Sequence, residues 1–93
     1  MNQQEAAEVT ALQALAWIVS QPEELGAFLG ATGASATDLA QSARDPRFLA
    51  ALIDHILETD ARVLACAADL GLPPTALAEA RRGLPGGQDP HWT

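Results

Sequence analysis

Apolar residues recur along this chain with a helical period, broken at short intervals by stop signals. At 100° per residue, Val9, Leu12, Leu15, Ala16, Ile18 and Val19 fall on one broad side of a helix predicted from about residue 3 to 20. Pro22 ends that helix and suits the first turn of the next, where its missing N–H is not needed and Glu23 and Glu24 meet the positive end of the helix dipole. Leu25, Phe28, Leu29 and Thr32 then share a face, and Gly33 supplies a left-handed stop. Ser35 with Asp38 has the form of a capping box opening a short helix through Leu39 to about Ala43. Asp45-Pro46 is a further start signal, an acidic cap followed by proline in the first turn. Behind it, Phe48, Leu49, Leu52, Ile53, Ile56 and Leu57 occupy half the wheel, with Arg47, Asp54 and Glu58 opposite. This is the expected central buried helix, with Leu52 and Ile56 at its middle.

Asp60 is the expected cap of a fifth helix, in which Val63, Cys66, Ala67 and Leu70 line up before Gly71. Leu72-Pro73-Pro74 turns the chain, and Thr75 to Arg82 form a last short helix ending at Gly83. Breakers crowd Pro85 to Pro90, so residues 1–83 are predicted to be a single helical domain and 84–93 a flexible tail. A repeat at an offset of 38 residues relates Gly33, Thr37, Leu39, Ala40 and Arg44 to Gly71, Thr75, Leu77, Ala78 and Arg82. Each copy reads as helix, glycine turn, short helix, which is a duplicated helical hairpin and too few copies for a solenoid.

Composition supports this reading. Twenty alanines and 13 leucines dominate the hydrophobic residues, while Tyr is absent and Val and Ile number three each, so helices are favoured over sheets. The expected architecture is all-α, a compact bundle of five to six short helices with two helix-turn-helix-like hairpins. Twelve acidic residues face five arginines and no lysine, a net charge of −7. Such a chain repels nucleic acid and anionic membrane surfaces at long range. Val9 to Pro22, the longest uncharged stretch, is too short and polar to span a bilayer. A single cysteine excludes an internal disulfide, and no basic segment precedes an apolar run at the N-terminus. A cytoplasmic location is therefore expected.

Candidate chemistry is sparse. Cys66, flanked by Ala65, Ala67 and Ala68, reads as a small core residue with no basic neighbour to activate it. His55 is expected at the half-buried margin of the central helix; Asp54 points about 100° away from it, so the spacing assembles no metal site with Glu58 or Asp60. Gly26, Gly30 and Gly33 match no phosphate loop and are expected to permit close helix packing. The segment from Ala67 to Leu77 has helix-turn-helix spacing, but its outward positions, among them Pro74, Ala78 and Glu79, offer few donors to a major groove. Arg81 and Arg82, with Arg44 from the other copy, form the only basic concentration and are candidate partner contacts besides partners of the helix dipole. Trp17 lies off the main apolar arc and is a third candidate contact, expected to be partly buried at an edge. No catalytic residue, cofactor site or metal site is assigned.

The segments Thr10 to Trp17, Asp45-Pro46 with Phe48-Leu49, Leu70 to Pro74, and Arg81 to Gly87 resemble those of a family of short bacterial proteins of unknown function, DUF3572. The resemblance runs from about residue 8 to 87 and rests on packing and turn motifs. It implies an intracellular, all-helical, single domain and brings no functional residues with it. The expectation that follows is a small acidic, non-enzymatic protein-interaction or regulatory module, engaging a protein partner or a second copy of itself. The alternative is a DNA-associated helix-turn-helix regulator.

Overall fold

The computed structural model describes residues 1–86, which fold into six α-helices. They are α1 (Gln3–Ser20), α2 (Pro22–Thr32), α3 (Leu39–Ser42, entered through a 3-10 turn at Ala36–Asp38), α4 (Pro46–Leu57), α5 (Asp60–Leu70) and α6 (Ala76–Arg82). No strand occurs among the described residues. Several starts have a local cause. The Asn2 side chain accepts from the Glu5 N–H while the Glu5 carboxylate accepts from the Asn2 N–H, a reciprocal cap for α1. Asp45 accepts from the Arg47 N–H at 2.9 Å ahead of Pro46. Gly33 and Gly71 both turn left-handed, at φ 74° and 69°, so the two hairpins of the 38-residue repeat share their stop.

Two expected caps are corrected. Thr59, not Asp60, caps α5 by accepting from the Arg62 N–H, which leaves Asp60 in the first turn, where its charge still favours the helix. Ser35 accepts from the Thr37 N–H and shares a hydrogen bond with the Thr37 hydroxyl, so the turn it opens is a tight 3-10 turn and not a reciprocal box with Asp38.

The largest departure is the orientation of α1. Its buried residues are Ala7, Ala11, Ala14, Leu15, Trp17 and Ile18, whereas Val9, Leu12 and Val19 remain 44%, 43% and 47% exposed. The inner arc centred on the alanines and Ile18 lies roughly 150° around the helix from the Val9–Leu12–Ala16–Val19 stripe. The reason lies in what α1 touches. It packs against α2, α4, α5 and α6, most extensively against α6 and α4. Small side chains let those helices come close, and the bulk that fills the core comes from the other side, as Leu49, Leu52, Ile53 and Ile56 of α4, Phe28 of α2 and Leu77 of α6. The α4 face is as its periodicity predicts, with Leu52, Ile53 and Ile56 fully buried.

The domain also runs further than residue 83. Leu84, expected to open the tail, is 3% exposed and belongs to the core. Pro85 accepts through its carbonyl from the Arg81 guanidinium at 2.9 Å, which holds the chain against α6. Just before it, a Cβ on Gly83 would sit 2.7 Å from the Ala7 Cβ and 2.8 Å from the Gln3 carbonyl oxygen, so only glycine lets the end of α6 reach α1. By contrast, a Cβ on Gly26 or Gly30 would meet open space, so neither has the packing role expected of it. The tail expected over 87–93 lies outside the described residues.

Substitutions should separate the two core surfaces. Leu52→Ala should cost about 2–5 kcal/mol by opening a cavity, and Ala11→Leu about 1–3 kcal/mol by overpacking the α1 crossing. Urea unfolding followed by circular dichroism reads both; an unchanged midpoint for Ala11→Leu would contradict the orientation of α1.

Candidate functional site

Turning the alanine face of α1 inward leaves Val9, Leu12 and Val19 outside, and α3 settles beside Leu12 and Val19. Leu12, Leu15, Ala16, Val19 and Ser20 of α1 form one wall of a cleft of about 410 Å³, and Leu39, Ala40 and Ala43 form the other. Ser20 apart, every lining side chain is apolar. Leu39 anchors the short α3 by burying its own side chain, while Leu12 and Val19 stay nearly half exposed. Val9 continues the same stripe toward the N-terminus of α1. Leu12 and Val19 are thus exposed side by side along the cleft, whereas Leu64 is exposed elsewhere, on α5. The structure buries Leu15 and Ile18 of the apolar arc expected from the sequence, but not Val9, Leu12 and Val19. Their i, i+3, i+10 spacing is the same for a core face and for an external seam, so periodicity alone could not tell which side of α1 would turn inward.

Trp17 sits elsewhere and is not the half-buried edge residue expected. It is 6% exposed, and its indole N–H donates to the Asp69 carboxylate of α5 at 2.7 Å. The cover comes from within the chain, and a ring so enclosed offers little surface to a partner. Its one polar atom is satisfied by a charged acceptor, the usual condition for burying tryptophan. The two residues are 52 apart in sequence, and no local pattern announces the pair.

The basic residues do not act as a unit. Arg81 is half buried and donates to Asp54 at 2.7 Å as well as to the Pro85 carbonyl, so it fastens α6 to α4 and to the following turn. Arg82 is exposed and borders a polar crevice with Gln4 and the Gly83–Gly86 turn. Arg44 is exposed next to α3 and borders a different crevice with Ala40 and Gln41. Neither Arg44 nor Arg82 forms an ion pair among the described residues. A further pair, Arg62 to Glu24 at 2.7 Å, ties α5 to α2 across 38 residues and was not signalled by the sequence.

His55 is buried, at 6% exposure, and not marginal as expected. Its ring meets the edge of Phe28 at a centroid distance of 5.4 Å, and Phe28 in turn meets Phe48 at 5.7 Å. Neither ring nitrogen has a hydrogen-bond partner. Burial therefore holds its pKa below the usual 6.5; the nearby Arg62 charge lowers it further, while Glu58 and Glu24 pull the other way. Cys66 is fully buried, and its thiol is pushed up to about 11 by that burial and by Asp69, so it is protonated at neutral pH and a poor nucleophile. Among the described residues, no three His, Cys, Asp or Glu side chains group closely enough to hold a metal ion. No helix among them is long and apolar enough to cross a membrane.

The profile of the DUF3572 family, described as proteins of unknown function, matches residues 4–87, and the chain belongs to that family. No curated protein and no solved structure matches it. The matched span reaches past α6 through Leu84, in keeping with the burial of that residue.

The buried imidazole makes stability depend on pH. Because the unfolded chain takes up a proton near pH 6.5 and folded His55 resists it, the stabilising contribution of neutral His55 is complete above about pH 6.5 and declines as pH falls toward the folded value. The urea midpoint of the wild type should drop between neutral and mildly acidic pH, above the range where carboxylates titrate. His55→Leu should flatten that drop, and equal slopes in the two proteins would contradict the assignment.

Proposed function

We propose that this member of the DUF3572 family is a small acidic, non-enzymatic protein-interaction module of the cytoplasm, and that it docks its partner in the groove between α1 and α3. The observation that carries the reading is the groove itself, where Leu12 and Val19 remain nearly half exposed beside Leu39, Ala40 and Ala43. Burying those side chains would release apolar surface from water at about 25 cal/mol per Å², a driving force that a folded monomer of this sequence does not use. The polar side chains give catalysis little support. Trp17, Asp54, Glu24, Arg62 and Arg81 are committed to structural contacts, Cys66 is a buried thiol, and His55 has no carboxylate or hydroxyl to act upon.

The DNA-regulator reading has weaker footing. The helix that would enter a major groove, α6, has seven residues, buries Leu77 and Ala80, and uses Arg81 to hold Asp54. Thr75, Ala78, Glu79 and Arg82 are left facing outward, one cation against one carboxylate.

A photo-crosslinking amino acid at position 12, and separately at the outward Ala61 of α5, tests the docking site in living cells. The proposal predicts a discrete protein adduct from position 12, lost when Val19→Glu is added, and none from position 61. The same adducts from both positions, or none from position 12, would contradict it.

A further inference from the structure

We propose that the occupant of the α1–α3 groove is a second copy of this chain, with the two α1 helices paired antiparallel about a two-fold axis. The inference rests on the docking reading above and names the partner. Three features of the groove select a copy of itself.

The first is the spacing of the stripe. Val9, Leu12, Ala16 and Val19 follow each other at intervals of three, four and three residues, the a/d rhythm of a helix that pairs with another helix. An antiparallel partner sets a against d: Val9 lies against Val19 of the other copy and Leu12 against its Ala16. Leu12 of one helix thus meets the small Ala16 of the other while the facing valines match in size, and the pattern closes on itself because each contact occurs twice.

The second is charge. Glu5 and Glu8 lie at the N-terminal end of the stripe, ahead of Val9, and are the only charged side chains on that half of α1. The cleft occupies the C-terminal half, from Leu12 to Ser20, and Arg44, two residues past the end of α3, borders the neighbouring crevice with Ala40 and Gln41, exposed and without an ion-pair partner among the described residues. Antiparallel pairing brings the acidic end of each α1 over the α3 of the other copy, toward Arg44. A parallel pair would set Glu5 and Glu8 against their own counterparts. Since each copy carries −7, the copies repel at long range, so apolar contact supplies the affinity and the glutamate–arginine contacts set the direction.

The third is extent. The stripe from Val9 to Val19 is about 15 Å long at 1.5 Å per residue, and α3 widens it. A contact of this length is small for a specific interface, so association is expected only at elevated protein concentration.

Sedimentation velocity from micromolar to submillimolar concentration tests the proposal. The wild type should pass from monomer to dimer, and Leu12→Glu should remain monomeric with an unchanged circular dichroism spectrum and melting temperature. Arg44→Glu and Glu8→Arg should each weaken association by about tenfold, as expected for loss of a contact followed by repulsion, and the double exchange should recover most of the loss. A monomer throughout, or a dimer indifferent to Leu12→Glu, would overturn the proposal; failure of the double exchange to recover association would overturn the antiparallel arrangement it states. The crosslinking at position 12 keeps the two readings apart. An adduct of twice the chain mass supports the second copy. An adduct with a different protein and none with itself sinks the self-pairing while leaving the groove as a docking site.

Discussion

Close approach between helices requires small side chains where they cross, and α1 supplies them as Ala7, Ala11 and Ala14. With this face inward, α1 can touch four other helices, and the core volume is filled by large residues reaching in from α2, α4 and α6. Gly83 repeats the same logic where the chain leaves α6, since any side chain there would collide with Ala7. A chain with 20 alanines has few large apolar groups to spend on a core, and tight crossings recover through contact what side-chain bulk does not provide. The groove follows from this choice. Once the alanine face is buried, Val9, Leu12 and Val19 have no place inside, and the four-residue α3 is too short to cover them.

Polar side chains then hold the outer helices to this centre. Asp69 of α5 accepts from Trp17 of α1, Arg62 of α5 reaches Glu24 of α2, and Arg81 of α6 reaches Asp54 of α4. Each bond is between residues far apart in sequence, and each restricts the direction in which a helix lies more than it adds to stability, since the ion pairs are partly exposed to solvent. α2 is further fixed by Phe28, which stacks edge-on against Phe48 and His55. Among the described residues only His55 buries side-chain nitrogens without a hydrogen-bond partner, and its resistance to protonation couples the aromatic cluster to mildly acidic pH.

Local signals were legible in the sequence and long-range ones were not. Pro22, Asp45-Pro46, Gly33 and Gly71 marked helix ends correctly because caps and left-handed turns are decided within a few residues. The buried face of α4 was equally clear, since its opposite side carries charges that cannot go inside. α1 offered no such contrast. Its inner face combines alanines with Leu15, Trp17 and Ile18 and its outer face is also aliphatic, so hydrophobicity alone did not separate the two, and the close approach of α4 and α6 decides the matter. For the same reason the groove was invisible, and Trp17, expected half-buried at an edge, is enclosed with its indole N–H on Asp69, a residue 52 positions away. The boundary at residue 83 failed because glycine and proline near Leu84 resemble a linker, while in the fold they bring Leu84 back into the core.

The central claim is that α1 faces inward with its alanines and outward with its aliphatic stripe. Thiol labelling of single cysteines placed at positions 7, 11 and 14 and at positions 9, 12 and 16, in dilute protein, measures this directly against the buried Cys66 as an internal reference. The account predicts that cysteines at 11 and 14 react as slowly as Cys66, only when the fold opens, and that those at 9, 12 and 16 react at the rate of a free thiol. Slow reaction at 9, 12 and 16 with fast reaction at 11 and 14 would contradict it.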